Sequence, residues 1–464
     1  MLAPRRTLLA LASLAACAGS PAGDDSGDAD TSAAAEAGTT TTPTSEPAET
    51  GEPGTTEPTI DPNATTYHAH ARPILARHCE HCHVAGGIAP LALDSYDDAR
   101  TFSALIASQT GHRVMPPYPA DNSGDCNTFR DARWLSDDDI ATLAAWHDGG
   151  ALEGDPNTPP PQVPPLPTLT GDVRQVVMPE PYTPDANMPD DYRCFVVDNP
   201  ATGDGDSFIT GYDVRPGDAR IVHHVVVFAP NSADAVAQAE TKDAADPGPG
   251  YQCFGTAQVD AEIAAAWAPG GGAQQFPDNT GVKIKTGGKL VLQVHYNTLA
   301  APGAADTTSV DLAIATAGIT AAEFVPLVNT DLNLPPGQSS VPTTTNTSLA
   351  DHGYTGTVKV HGVFPHMHLL GRTLKLTAEH NGADICLVDV PRWDFHWQFL
   401  YFYDQPGTLA ADTPLTLDCG FDTTTRQTPT GWGEGTGDEM CVAGLWVSKQ
   451  GHRRVHVQTP RPRA

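Results

Sequence analysis

Residues 364–371 read Phe-Pro-His-Met-His-Leu-Leu-Gly, and this string contains the pair His366 and His368. Side chains two positions apart on a β-strand point to the same face, so both imidazoles can bind one metal ion. A second string, residues 221–226, contains the adjacent pair His223 and His224. Adjacent side chains on a regular strand point to opposite faces, so this pair shares an ion only at a bulge or a strand end.

The rest of the larger part of the chain has the pattern of an all-β protein. Short runs rich in β-branched residues alternate with turns of Gly, Pro, Asn and Asp, and they include Val222–Phe228, Leu290–Tyr296, Val358–Val363 and Leu374–Thr377. Such spacing is typical of β-sandwiches. Two further candidate ligands occur there, His295 in Leu-Gln-Val-His-Tyr-Asn and Met440 in Gly-Asp-Glu-Met-Cys.

These strings, in this order, resemble the copper type II, ascorbate-dependent monooxygenases, a family that includes peptidylglycine α-hydroxylating monooxygenase and dopamine β-monooxygenase. The resemblance covers residues 175–450 and extends to Trp-Ala-Pro-Gly-Gly at 267–271 and Phe276-Pro277. It implies two consecutive all-β, jelly-roll-like sandwich domains, which we expect at residues 169–325 and 326–455. In the family each domain holds one copper ion, and the two ions face each other across an open cleft.

The resemblance also implies a role for each ligand. His223, His224 and His295 would bind the electron-transfer copper, whereas His366, His368 and Met440 would bind the catalytic copper that meets O₂. A soft thioether favours Cu(I), the oxidation state that binds O₂. The resemblance further implies a disulfide between Cys419 and Cys441, and we expect another between Cys194 and Cys253 in the first sandwich. Cys126 and Cys386 are left without an assigned partner.

Some positions depart from the family pattern. Phe364 stands where the peptide-amidating members have an arginine, and Gly444 stands where they have a tyrosine, so peptidylglycine is not the expected substrate. The aromatic segment 393–398 either lines a pocket or belongs to the core. His361 is interpreted as an ordinary strand residue and not as a ligand.

A haem-attachment pattern precedes this region. Residues 79–83 read Cys-Glu-His-Cys-His, so Cys79 and Cys82 can form thioethers to one haem and His83 can bind its iron. A zinc site would need a second ligand pair, and the nearby sequence has none. The pattern resembles small bacterial cytochrome c domains, which implies Met115 as the distal ligand, with His78, His81 and His112 as rivals. We expect a small all-α domain at residues 63–153, with helices over 67–76 and from Ser136 to Gly149.

The N-terminus has the pattern of a bacterial lipoprotein signal at residues 1–17. Arg5 and Arg6 precede a short apolar run that ends in Leu-Ala-Ala-Cys, so Cys17 is the predicted lipidation site; a plain secretory signal is the alternative. Residues 18–62 lack aromatic, Lys and Arg residues, which predicts a disordered acidic tether. We expect the bacterial cell envelope, periplasmic or cell-surface, with the membrane contacted through the lipid alone.

Charge and linker composition limit the partners. The chain has 26 Lys and Arg against 56 Asp and Glu, a net charge of −30, which argues against binding to nucleic acid. A proline-rich linker at residues 154–168 separates the α domain from the β domains. Such a spacer predicts that the haem is held near the copper ions by tethering.

The sequence therefore predicts a multidomain enzyme: a copper monooxygenase that hydroxylates a C–H bond of an organic substrate with O₂. Two copper ions and one covalent haem are the expected cofactors, and an external electron donor, ascorbate or another reductant, is the expected partner. The alternative is a non-catalytic copper and haem electron-transfer protein, or a copper-binding surface lipoprotein. Nothing in the sequence identifies the substrate.

Overall fold

The structure of the protein is a computed structural model that describes residues 63–449, apart from 86, 88, 163, 164, 203, 204, 270, 381, 434 and 436. The predicted signal, the lipidation site Cys17 and the predicted tether lie outside the described residues. Within the described part of the chain, no helix has the length and apolar character that crossing a membrane requires.

The first part of the described chain is helical. A π-helical turn at Tyr67–Ala71 continues into α1 (Arg72–His78), followed by α2 (Tyr96–Thr101), α3 (Ser103–Gly111) and α4 (Asp137–Asp148). The hydroxyl of Ser136 accepts the backbone N–H of Asp139 and so caps α4, whose first turn carries three acidic residues that favour the helix dipole. Tyr67, Leu75, Leu143 and Trp146 pack together in a small core. Helices therefore form where the sequence predicts them.

The first β region consists of two packed sheets and one surface helix. Its elements are β1 (Asp172–Val177), β2 (Asp190–Asp198), β3 (Asp206–Arg215), β4 (Val222–Pro230), α5 (Ala233–Ala245), β5 (Tyr251–Gln252), β6 (Ala261–Trp267), β7 (Gln274–Gln275), β8 (Thr280–Lys285), β9 (Lys289–Asn297) and β10 (Ser309–Ala315). One sheet has the order β5-β2-β9-β4-β6, and the facing strands run β1-β10-β3-β8, with β7 beside β3. Side chains from both sheets, including Ile209 and Leu292, form one buried core.

The second β region repeats this arrangement. Its strands are β11 (Thr320–Val328), β12 (Asn333–Leu334), β13 (Val341–Thr347), β14 (Thr357–Met367), β15 (Gly371–His380), β16 (Ala383–Val390), β17 (Tyr401–Ala410), β18 (Leu415–Phe421), β19 (Thr430–Gly431) and β20 (Cys441–Lys449), with a 3₁₀ turn at Leu349–His352. The order β11-β20-β14-β17 faces β13-β18-β15-β16 over a second buried core, and β12 pairs with β19. The predicted all-β sandwich architecture is thus present in both halves.

The two sandwiches share a continuous sheet. Strand β11 pairs in parallel with β8, which joins the outer strands of both halves into one nine-stranded sheet. Trp446 of the second half is fully buried in the core of the first, with its ring 4.6 Å from that of Phe276. At the same seam His361 is a satisfied strand residue, as predicted, because its ring nitrogens contact Asp278 and Ser448.

The helical part is docked on the second sandwich and not only tethered to it. A disulfide joins Cys126 to Cys386, across 260 positions of sequence. The backbone N–H groups of Asp121 and Arg130 donate to the carbonyls of Asp389 and Phe402. The expectation that the proline-rich spacer alone holds this part in place is therefore corrected, because a covalent bond and a hydrogen-bonded surface fix residues 112–133 against β16 and β17.

The other disulfides join Cys194 to Cys253 and Cys419 to Cys441. Both are the pairs expected from the sequence. Among the described cysteines, Cys79 and Cys82 are the two that remain thiols.

Candidate metal centres

A β-bulge brings the two adjacent histidines of β4 to one site. In the pairing of β4 with β9, Val222 lies opposite Tyr296 and His224 lies opposite His295, so that His223 is the extra residue of the bulge. A bulge re-aims one side chain relative to the strand's alternation. Adjacent strand residues can share an ion only at a bulge or a strand end, so this bulge allows His223 and His224 to do so.

The three imidazoles form a ready donor set. One ring nitrogen from each of His223, His224 and His295 lies within 4.8 Å of the others. The Nδ1 atoms of His224 and His295 are 3.2 Å apart, and the buried Nδ1 of His223 has no hydrogen-bond partner among the described residues. Three convergent nitrogens without competing protein partners fit a copper ion bound by imidazole.

A carboxylate that the sequence reading missed fixes the tautomer of one ligand. The Nε2–H of His295 donates to Oδ1 of Asp190 at 3.0 Å, which leaves the Nδ1 lone pair directed at the other two histidines. Burial lowers the pKa of His295, and burial together with the neighbouring His295 and His396 lowers the pKa of His223 to about 4. Both imidazoles are therefore neutral near pH 7 and available to a metal.

The second histidine pair lies at the end of β14. The rings of His366 and His368 are 5.2 Å apart. The Nδ1–H of His366 donates to Oε1 of Gln398 at 2.6 Å, and the Nδ1–H of His368 donates to the carbonyl of Asp438 at 3.2 Å. Because the outer partners occupy Nδ1, both rings keep the opposite nitrogen, Nε2, free for a metal. Burial is also the main cause that lowers the pKa of His366, to about 4.

A buried glutamate ties Met440 to this pair. The carboxyl of Glu439, a residue with 0% exposure, accepts the backbone N–H groups of His368, Leu370 and Met440. Burial raises the pKa of Glu439 to about 7, against the opposing effect of these three donors. The next residue along the chain, Cys441, is held to Cys419 by a disulfide. Met440 is therefore anchored from both sides, next to the histidine pair.

The segment between β16 and β17 lies between the two histidine clusters. The ring of Phe395 stacks on His223 at a centroid distance of 5.1 Å and meets His368 edge-on at 6.2 Å. Trp393 donates its Nε1–H to the carbonyl of His368. The sequence left open whether residues 393–398 line a pocket or belong to the core. This question is resolved in part, because Phe395 and Trp393 contact the candidate ligands.

The surroundings of His366 are apolar. The ring of Phe364 lies parallel to that of His366 at 6.3 Å. A side-chain carbon placed on Gly444 would lie in ordinary contact with Phe324 and Phe364. No cationic side chain stands at either position, and an anionic substrate group would lack a partner there.

The haem-attachment pattern follows the end of α1. Cys79 and Cys82 remain thiols while the other described cysteines are paired, and Nδ1 of His83 donates to the carbonyl of Leu91 at 3.0 Å. That bond leaves Nε2 of His83 free for iron, so the donor chemistry fits a covalently attached haem. Met115 lines a narrow cavity with Tyr118, and His83 is not among the residues that line it.

A cavity of about 430 Å³ lies beside this pattern. Arg77, His78, Arg113, Trp134 and Asp137 are among the side chains that line it. His78, one of the rival haem ligands, lines this cavity, whereas none of the other predicted metal or haem ligands does.

Residues 175–301 match the copper type II ascorbate-dependent monooxygenase N-terminal domain, and residues 316–447 match the C-terminal domain. Together these matches cover more than half of the chain. The chain is 28% identical over 249 residues to tyramine beta-hydroxylase of Caenorhabditis briggsae, which covers 49% of this chain and 40% of that protein. It is also 25% identical over 254 residues to DBH-like monooxygenase protein 1 of Gallus gallus, a match that covers 48% of this chain and 39% of that protein.

The chain thus spans well under half the length of these curated relatives. The solved structure of PNGF-II shares 9% identity over 62% of this chain and 66% of that chain, with a TM-score of 0.29. That likeness is too remote to carry an argument.

Proposed function

Because the chain belongs to the copper type II, ascorbate-dependent monooxygenase family, we propose that it hydroxylates a C–H bond of an organic substrate with O₂. The observation that carries the proposal is the pair of neutral histidine clusters with Phe395 between them, in which outer hydrogen bonds orient His295 in one cluster and His366 and His368 in the other. The non-catalytic alternative would not require both clusters to be preorganised in this way.

Each side chain has a defined task in this proposal. His223, His224 and His295 hold one metal ion, with Asp190 fixing the tautomer of His295. His366, His368 and Met440 hold the other, with Gln398 and Glu439 orienting the ligands. Copper bound at these positions would supply one-electron transfer and O₂ activation. The apolar surroundings of His366 would accept an uncharged or aromatic part of the substrate.

Labelled oxygen gives the direct test of hydroxylation. The copper-loaded protein, supplied with ascorbate and ¹⁸O₂, is incubated with a substrate panel that includes tyramine, since one relative is named for that substrate. One ¹⁸O atom should enter a product, as a mass increase of the product shows. The metal-free protein is the control. Copper binding at both clusters without any labelled product across the panel would favour the non-catalytic alternative.

We further propose that the helical part carries a covalent haem at Cys79 and Cys82, bound axially by His83 and Met115, that passes electrons from an external donor to the copper sites. Contacts support a short route. Arg133 is partly buried, which lowers its pKa, and the nearby groups of Cys82 and Tyr118 oppose that shift. Its guanidinium lies 5.7 Å from the ring of Phe399, which also stacks on Tyr118.

The route continues to the second copper site along the chain. Phe399 follows Gln398, whose side chain accepts the Nδ1–H of His366. This route would deliver electrons to the cluster with Met440 directly, in addition to those exchanged with the three-histidine cluster. This differs from a flexible tether, which would present the haem to either cluster.

For localisation, we propose attachment to the cell envelope through a lipid on Cys17. Intact-mass measurement of the protein purified from its native host checks both covalent attachments. We expect a mature chain that begins at Cys17 and carries the added masses of diacylglycerol and one haem. A mass that matches the polypeptide from Cys17 onward without either addition would contradict both proposals. Replacing Cys79 and Cys82 together with serine should remove covalent haem without changing the lipid mass, because each thiol forms its own thioether.

A further inference from the structure

One aromatic ring touches both histidine clusters. The ring of Phe395 lies nearly parallel to His223, at an angle of 25° and 5.1 Å between centroids. The same ring is perpendicular to His368, at 87° and 6.2 Å. Among the described residues, the aromatic contacts of the other rings at these clusters, such as Tyr192 on His295 and Phe364 on His366, reach one cluster each.

Phe395 is held in this position by the strand that carries the second cluster. Gln398 donates its Nε2–H to the carbonyl of Phe395 at 2.8 Å, and its Oε1 contacts His366. Trp393 is buried and donates to the carbonyl of His368 at 3.1 Å. The ring is therefore fixed to one cluster by hydrogen bonds and lies against the other by stacking alone.

We propose that Phe395 is the residue through which the two copper sites exchange an electron. This inference rests on the proposed function. Copper held by His223, His224 and His295 would give up one electron, and copper held by His366, His368 and Met440 would accept it. One electron moves, no proton is transferred, and ascorbate or another one-electron donor restores the starting state. Phe395 is thus a positioning and coupling residue, since it binds neither ion.

The contacts of Phe395 explain why its ring, and not solvent, would couple the two copper sites. Stacking on the imidazole of His223 places the ring's π-system against one ligand, while its contact with His368 reaches a ligand of the other ion. An aliphatic side chain of similar volume would keep the space filled but remove the π-contact. That difference separates coupling from simple packing.

The test follows electron redistribution in the two-copper protein without O₂ or substrate. A rapid one-electron pulse reduces part of the Cu(II), and freeze-quenched EPR then follows the signals of the two sites as they equilibrate. Phe395→Leu should slow this redistribution about tenfold, equivalent to about 1.4 kcal/mol of added barrier. Phe395→Trp should restore a rate close to that of the unsubstituted protein. Phe254→Leu, which removes an exposed ring whose aromatic contact is with Tyr192 and not with a ligand, is the matched control and should stay near the original rate.

A second readout separates coupling from structure. Pulsed dipolar EPR on the fully oxidised protein measures the distance between the ions, which should be the same with Phe395 or with leucine. If Phe395→Leu slows the electron redistribution and also lengthens the distance between the ions, the inference is overturned, because Phe395 would then only set that distance. An unchanged rate in Phe395→Leu would overturn it as well. Failure to bind two copper ions in the unsubstituted protein would instead contradict the proposed function.

Discussion

Glu439→Ala should lower the free energy of unfolding by about 3 kcal/mol or more, because three buried backbone N–H groups lose their acceptor at about 1 to 3 kcal/mol each. These are the groups of His368, Leu370 and Met440. With its anchor removed, the backbone of Met440 would no longer be held beside the histidine pair. Loss of such an outer partner weakens metal affinity by about 10- to 100-fold. Cu(I) affinity should fall at this cluster and not at the three-histidine cluster.

Chemical unfolding and Cu(I) titration with a competing chelator measure the two effects. Glu379→Ala is the matched control, since Glu379 is exposed and its loss should change stability by less than about 0.5 kcal/mol. The stability and the Cu(I) affinity of Glu439→Gln should lie between those of Glu439→Ala and Glu379→Ala. The glutamine amide keeps one acceptor oxygen, but its NH₂ group would face backbone N–H donors. An equal loss of Cu(I) from both clusters would contradict the anchoring role of Glu439.

Replacing Cys126 and Cys386 together with serine should release the helical part from the second sandwich. The bond closes a loop of 260 positions, and removal of a native disulfide costs about 2 to 5 kcal/mol. The backbone amides of Asp121 and Arg130, which donate across the docking surface, should lose protection against hydrogen exchange. If the haem is present, its reoxidation by the copper sites should slow as well.

The double substitution of Cys194 and Cys253 is the control for this experiment. That pair lies within the first sandwich, so its removal should also lower stability but leave the amides of Asp121 and Arg130 protected. Unchanged exchange in the Cys126 and Cys386 variant would show that hydrogen bonds alone hold the docked surface. Equal loss of protection in both variants would show a general loosening and contradict a specific clamp.

Local patterns in the chain were enough for several conclusions. The short β-branched runs of β4, β9, β14 and β15 predicted strands, because such residues favour extended backbone and turn residues bound each run. The spacing of His366 and His368 predicted a shared site, because side chains two positions apart on a strand point to the same face. The Ser136 cap and the glycines after Asp148 bounded α4 through hydrogen bonds that reach only a few residues. The ligand roles came from a resemblance in short strings and not from such physical patterns.

Only the tertiary structure decided what depends on distant partners. The bulge at His223 exists because β4 pairs with β9, and strand spacing alone does not reveal a register shift between strands 71 positions apart. Asp190, Gln398 and Glu439 were not predicted as site residues; they matter because folding places their oxygens beside ligands or backbone donors. Cys126 and Cys386 could not be paired from spacing, because cysteine pairing depends on how close the chains lie in space. Sequence therefore determined the kinds of ligand and the strands that hold them, whereas long-range pairing determined their orientation, the ring between them and the docking of the helical part.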